Sequence, residues 1–250
     1  MRRFFLFLAC VFGLCLPANG TEDLSGNDIL ARATVAAGGK DWAEAKSLFL
    51  SGRAVFWGTT GAEPRSVADD YVMWRVYDPA RQASHGAEGK VRIIANLKGK
   101  QLWTVGFDGE TTWNERGTIP KAEADIFWAS NFGFGIIRHA LQPGFKAERV
   151  ADGLIGARKI YLVRLTDPTG GVTLFGVDQA SFAIRTMGFM TPKGWHERHY
   201  EDFIRLKNPN WLQARKVTLY YNGVKANEVY WARTVVNGPV DDALFTPPTR

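Results

Sequence analysis

Most of the chain, from residue 48 to residue 236, alternates apolar and polar side chains with a period of two, and this pattern constrains the fold more than any other feature. Such alternation is typical of β-strands whose two faces meet different surroundings. Asp108-Gly109 and Asn222-Gly223 separate neighbouring segments and suit tight hairpins, in which the turn residues need positive φ. The pattern predicts eleven strands, at residues 48–57, 66–77, 90–98, 100–107, 111–114, 158–166, 172–178, 182–189, 195–206, 211–221 and 225–236.

Short links join the predicted strands, so we expect each strand to pair antiparallel with its neighbour in the chain. No rhythm of alternating strand and helix is present, which disfavours a doubly wound nucleotide-binding fold. Apolar residues at helical spacing predict one helix within residues 24–37, with Ser25 among its capping candidates and Gly38-Gly39 at its end. The sequence therefore predicts a mainly-β chain with helices, of the α+β class.

Residues 118–143 interrupt the strands with a predicted helical segment rich in aromatic side chains. Pro120 suits the first position of a helix. Gly133 and Gly135 would loosen that helix, because each glycine costs a helix about 1 kcal/mol relative to alanine. Two interpretations remain open: the segment is a movable lid over an apolar cavity, or it is a core helix that kinks where glycine permits a close backbone approach.

Several strands carry bulky side chains on both faces, so neither face of the sheet is expected to be fully exposed to water. The chain contains 9 Trp and 16 Phe, which favours either a well-filled core or a wide apolar concavity. We predict the second, with ligand-binding positions on the apolar faces of the strands and on the aromatic segment. These positions are Val72, Trp74, Val76, Trp103, Val105, Phe107, Trp113, Phe127, Trp128, Phe132, Phe134, Ile137, Val217 and Leu219.

Residues 1–20 have the pattern of a secretory signal peptide. Two arginines precede an apolar run of 13 residues, 4–16, which is shorter than the roughly 20 needed to span a bilayer. Residues 18–20 (ANG) then supply the small side chains of a cleavage site. We therefore expect a periplasmic protein with one mature domain over residues 21–250.

The rest of the composition disfavours several classes of function. Cys10 and Cys15 both lie within residues 1–20, so the mature part has no side chains for a disulfide, a thiolate metal site or a cysteine nucleophile. The net charge of +6 is modest and spread along the chain. It suits an approach to an anionic membrane surface, and it does not indicate a nucleic-acid partner.

Three short motifs are similar to those of a known superfamily. Residues 107–113 read FDGETTW, Asp78-Pro79 closes the second predicted strand, and residues 237–248 read NGPVDDALFTPP. With the order helix, strands, aromatic helix and further strands, they resemble the LolA/LolB-like periplasmic lipoprotein carriers, in which an Asp-Gly-Lys-x-x-Trp hairpin follows a similar pair of strands. The resemblance covers nearly all of the mature chain, which departs from the carriers in its length, its first helix and the polar loop 84–90.

The resemblance implies an unclosed antiparallel β-barrel of about eleven strands whose opening is covered by helices. Its apolar interior would shelter the acyl chains of a lipoprotein or a lipid, with a membrane or an envelope protein as a transient partner. We therefore expect a carrier that is not an enzyme and uses no cofactor. The alternative is a non-catalytic envelope module of the same fold that senses stress or binds a protein, with its trough filled by side chains.

The histidines suggest two enzymatic alternatives that rank lower. His196 and His199 are three residues apart on a predicted strand, so they point to opposite faces and cannot bind one metal ion together. Glu197, His199 and Glu201 share a face, and a carboxylate–histidine pair can carry out acid–base chemistry. Such a stripe on an antiparallel sheet is more typical of a solvated outer face, so an envelope hydrolase is the least favoured hypothesis.

Overall fold

The computed structural model describes residues 23–248, so the predicted signal peptide at residues 1–20 lies outside the described residues. Within them the chain forms α-helices α1 (Gly26–Ala37), α2 (Lys40–Ala43) and α3 (Lys121–Asn131), and 3-10 helices at Gly135–His139 and Asp242–Phe245. The strands are β1 (Ser47–Trp57), β2 (Pro64–Tyr77), β3 (Gly89–Leu97), β4 (Lys100–Phe107), β5 (Thr112–Asn114), β6 (Gly117–Thr118), β7 (Lys146–Ile155), β8 (Arg158–Thr166), β9 (Val172–Asp178), β10 (Ile184–Thr191), β11 (Gly194–Leu206), β12 (Trp211–Tyr221) and β13 (Val224–Val236).

All the strands belong to one antiparallel sheet with the order β6-β5-β4-β3-β2-β1-β13-β12-β11-β10-β9-β8-β7. The first strand pairs with the last one, through partners such as Leu48 and Val236, so the sheet has two free ends, at β6 and β7. The connection between those two ends contains α3 and the first 3-10 helix. The predicted α+β class and the unclosed antiparallel sheet are confirmed.

The sheet has thirteen strands in the described residues rather than the predicted eleven. The additional strands are β6, which has only 2 residues, and β7, which lies at an edge of the sheet. Every position of β7 is exposed or half-buried, and one of its edges has no neighbouring strand. An edge strand of this kind lacks the apolar alternation on which the prediction depends.

Local turn chemistry places the hairpins where the sequence predicts them. Asn222 and Gly223 both have positive φ, 49° and 78°, as a tight type I′ turn between β12 and β13 requires. Asp108 accepts hydrogen bonds from the backbone N–H groups of Glu110 and Thr111, and Gly109 has a φ of 113°. Both predicted hairpins are therefore confirmed.

Residues 118–143 are not one loosened helix. Helix α3 ends at Phe132, whose backbone is extended, and the chain then passes through a bend to the first 3-10 helix. Gly133 and Gly135 lie beyond the end of α3, and a Cβ atom added to them would lie 2.6 Å from the ring of Phe189 and 1.6 Å from the carboxylate of Glu88, respectively. The two glycines therefore do not lie within a single helix, loosened or kinked, and they permit close packing at these positions. That the segment moves as a lid stays a prediction.

Candidate functional site

A cavity of about 450 Å³ lies between the concave face of the sheet and the segment that follows β6. Strands β1–β4 and β11–β13 supply its walls, α1 and α2 contribute Ala37 and Trp42, and the end of α3 with the bend after it closes it from the opposite side. Residues 127–138 form this closing side, called the roof, and the first and last of them, Phe127 and Arg138, both line the cavity.

Aromatic rings form a continuous wall on the sheet side of the cavity. The ring centroids of Phe56 lie 5.8 Å from Trp103 and 6.0 Å from Tyr71, and Tyr71 stacks on Trp231 at 5.4 Å. All four residues line the cavity. Aromatic pairs in edge-to-face or stacked contact contribute about 0.5–1.5 kcal/mol each beyond the burial of their area, so the ring contacts stabilise the wall.

Six of the predicted ligand-binding residues line this cavity. They are Trp103 on β4, Phe127, Phe132 and Phe134 in the roof, and Val217 and Leu219 on β12. Their contact with a ligand stays a prediction.

The predicted face of β2 is corrected by the structure. Tyr71, Met73, Arg75 and Tyr77 line the cavity, so the alternate residues Val72, Trp74 and Val76 lie on the outer face of the sheet. Trp74 packs there against Phe49, with ring centroids 5.1 Å apart. Both faces of β2 carry bulky side chains, and alternation alone does not show which of them faces inward.

The other five predicted residues pack beside the cavity rather than against its space. Val105 and Ile137 are buried in the hydrophobic core. Phe107 and Trp128 pack together at 5.7 Å along α3. Trp113 packs against Gly106, where a Cβ atom would lie 2.3 Å from its ring, and donates a hydrogen bond to the carbonyl of Phe245. Since Gly106 alternates with Val105 and Phe107, Trp113 lies on the outer face of the sheet.

A cluster of charged side chains is buried in one wall of the cavity. Glu88 accepts a 2.6 Å hydrogen bond from Nη2 of Arg138 and lies 3.3 Å from Nη2 of Arg75. Burial raises the pKa of the Glu88 carboxyl, but the charges of the two arginines outweigh burial, and the pKa lies below its ordinary value. Glu88 is therefore a carboxylate held between two guanidinium groups.

Hydrogen bonds from the sheet hold the end of α3. Ser130 and Asn131 belong to its last turn, whose carbonyls have no partner within the helix. The Ser130 carbonyl lies 2.9 Å from Nδ1 of His196 and accepts a hydrogen bond from the Tyr221 hydroxyl at 2.7 Å. The Asn131 carbonyl accepts one from Nη2 of Arg198 at 2.6 Å. Burial, together with the charge of Arg198, lowers the pKa of His196 to about 2, so this imidazole is neutral.

Comparison with known proteins identifies the fold. No protein-family model and no curated protein matches the chain. Among solved structures, a domain described as an outer membrane lipoprotein-sorting protein from Vibrio parahaemolyticus has a TM-score of 0.54 and 11% identity, covering 88% of this chain and 95% of that one. A LolA superfamily protein from Nitrosomonas europaea has a TM-score of 0.51 and 12% identity, covering 89% and 98%.

The chain has a LolA-like fold. A DUF1329 family protein from Desulfovibrio piger is also similar, with a TM-score of 0.55, 6% identity and coverage of 88% of this chain and 97% of that one. At such identities the likeness establishes the LolA-like fold and leaves the ligand open.

The residues of the hydrolase alternative lie on the outer face of the LolA-like sheet. Glu197 lies 2.6 Å from Nε2 of His199 and accepts a hydrogen bond from the Trp195 indole, while Glu201 pairs with Lys216. Because residues of β11 alternate, these side chains point away from the cavity that Arg198 and Tyr200 line. None of these three residues lines the cavity described above.

Two further features of the described residues bear on the sequence-based expectations. In residues 23–248 no helix is both long and apolar enough to cross a bilayer. In the same range, no three side chains of the metal-binding types cluster closely enough to hold an ion.

The sequence analysis did not identify this cluster of buried charges, and it treated Glu88 only as part of the polar loop 84–90. One signal could have found Arg75: it alternates with Tyr71, Met73 and Tyr77, so a single arginine sits on an otherwise bulky face. Glu88 carries no comparable signal, because its partners come from distant parts of the sequence.

Proposed function

We propose that this chain is a periplasmic carrier that binds one acyl-chain-sized hydrophobic ligand in the cavity, with residues 1–20 as its secretory signal. The observation that carries the proposal is the 450 Å³ of space enclosed between the aromatic wall and the roof. Apolar interiors normally contain few voids larger than a water molecule, so a space of this size is a feature of binding proteins.

The volume of the cavity favours the carrier over the interaction module. An apolar cavity of about 150 Å³ accommodates one benzene ring. A space three times larger accommodates roughly eighteen carbon atoms on the same scale, which is the size of one long fatty acyl chain. A trough filled by side chains, as the interaction module would have, leaves no such space. The same scale favours a ligand with one chain over a lipoprotein anchor with several.

Burial of the chain supplies enough free energy for binding without a covalent bond. Each methylene transferred from water is worth about 0.8 kcal/mol, so a sixteen-carbon chain gains on the order of 12 kcal/mol. The loss of translational and conformational freedom reduces this gain by several kcal/mol. The likeness to a domain described as lipoprotein-sorting supports a carrier role.

Filling the cavity with a larger side chain tests the proposal. Val217 lines the cavity, whereas Val172 is 44% exposed at the start of β9. We expect Val217→Trp to weaken binding of a fluorescent fatty acid at least tenfold, and Val172→Trp, the matched control, to leave it unchanged. Native mass spectrometry of protein isolated from the periplasm should show one co-purified lipid. Absence of both co-purified lipid and probe uptake would contradict the carrier function.

A further inference from the structure

We propose that the ligand of this cavity carries a carboxylate, and that Arg75, Arg198 and Tyr200 bind it. This inference rests on the proposed function, because it names the chemical class of the ligand in the same cavity. The ligand would be a free fatty acid, with its acyl chain along the aromatic wall and its acid group at the roof.

Three residues of the cavity wall carry buried donors that have no hydrogen-bond partner among the described residues. Nε of Arg75, Nε of Arg198 and the hydroxyl of Tyr200 are buried without a hydrogen bond, and all three residues line the cavity. Arg75 and Tyr200 are each only 8% exposed. Buried donors are almost always satisfied in folded proteins, so three residues with unsatisfied donors in one cavity wall favour a ligand that supplies the acceptor.

The three side chains lie near one another at one corner of the cavity, Arg75 on β2 and Arg198 and Tyr200 on β11. Arg198 donates to the carbonyl of residue 131, the guanidinium of Arg75 lies 5.1 Å from the ring of Phe132, and Tyr200 lies 4.9 Å from the ring of Phe134. Each one therefore touches a different residue of the same short stretch, 131–134. A group bound there would contact β2, β11 and the roof together.

The charge of the lining favours an anion. Among the described residues that line the cavity, five are basic and one is acidic: Arg65, Arg75, Arg138, Lys193 and Arg198 against Glu88. The single carboxylate is already shared between Arg138 and Arg75, with the shorter contact to Arg138. A buried guanidinium without a full counter-charge is costly, so an incoming anion would complete the cluster.

The donor types favour a carboxylate over a neutral head group. Guanidinium groups and a tyrosine hydroxyl donate to planar, charged oxygens, whereas an alcohol offers one neutral oxygen. The cavity has space for roughly one acyl chain, so the two chains of a phospholipid would not both fit within it. A fatty acid satisfies both conditions.

Calorimetric titration with dodecanoate and with dodecanol tests the inference, because the two probes share a chain length and differ in the head group. With lipid-free protein at neutral pH we expect the carboxylate to bind at least tenfold more tightly than the alcohol, since a hydrogen bond to a charged group is worth about a factor of ten or more. Arg198→Gln should reduce that preference about tenfold, with partial rescue in Arg198→Lys.

Tyr200→Phe is the conservative variant, because it removes only a hydroxyl that has no partner. It should weaken dodecanoate binding about threefold to tenfold while dodecanol binding stays the same. Arg53→Gln is the matched control: Arg53 is exposed and stacks on Tyr230 at 4.2 Å, and neither probe should respond to its loss.

The outcomes separate the two proposals. Equal affinity for both probes, or an unchanged preference in Arg198→Gln and Tyr200→Phe, would overturn the carboxylate site and leave the carrier function standing. If neither probe binds, the carrier function fails and the carboxylate site fails with it. If Arg198→Gln loses dodecanol as well, the cavity itself is damaged, and Tyr200→Phe decides.

Discussion

Replacing Glu88 by glutamine should destabilise the protein severely, although the two side chains have nearly the same shape. Glu88 is 5% exposed and lies between Arg138 at 2.6 Å and Arg75 at 3.3 Å. The substitution leaves two buried guanidinium groups without a counter-charge, and breaking a buried ion pair in this way costs about 3–5 kcal/mol. Domains are typically stable by only 5–15 kcal/mol, so the loss is a large part of the total.

Urea unfolding of the ligand-free protein at pH 7 measures the effect, and an exposed pair on β7 and β8 provides the control. Glu148 lies 3.0 Å from Arg164, with side chains that are 65% and 48% exposed. Glu148→Gln should cost no more than about 1 kcal/mol, because solvent screens exposed ion pairs. If Glu88→Gln costs less than about 1 kcal/mol as well, the buried ion-pair cluster does not stabilise the fold.

Two further predictions concern the roof and its contacts with the sheet. Gly135→Ala should lower the free energy of unfolding by about 1–3 kcal/mol, because the added Cβ would lie 1.6 Å from the Glu88 carboxylate. Gly58→Ala is the control and should leave that free energy unchanged, because the nearest atom to its added Cβ is 3.8 Å away. If urea unfolding shows the same destabilisation for both variants, a steric clash at Gly135 is not the cause. Because the pKa of His196 is lowered to about 2 in the folded protein, the unfolded chain takes up the proton first as pH falls. The free energy of unfolding should therefore fall by about 1.4 kcal/mol per pH unit below pH 6.5. Urea unfolding at pH 7.5 and at pH 5.0 measures this loss, and the free energy of unfolding should change less between the two pH values in His196→Gln than in the wild type.

Part of the site could be predicted from the sequence, because aromatic content and alternation are local properties. Trp103, Val217 and Leu219 lie on strands with one clearly apolar face, and all three line the cavity. On β2 the same method selected Val72, Trp74 and Val76, because both faces of that strand are bulky and the residues themselves do not distinguish the inner face.

The positions of Gly133 and Gly135 illustrate a second limit. In the sequence alone, a glycine within an aromatic, helix-like stretch indicates a flexible backbone, since the conformational freedom of glycine is a local property. Its role here depends on Phe189 and Glu88, which approach these two backbones from distant strands. The periodicity of the sequence does not indicate that these distant side chains pack against the two glycines.

Strand periodicity, the Asp108-Gly109 and Asn222-Gly223 turns and the predominantly antiparallel order follow from the sequence alone, because each depends on residues that are neighbours in the chain. The tertiary structure decides which face of the sheet is concave, and it places Arg75, Glu88, Arg138 and Arg198 around one cavity. These features depend on the pairing of the first strand, β1, with the last, β13, because it brings segments that are far apart in the sequence into one sheet.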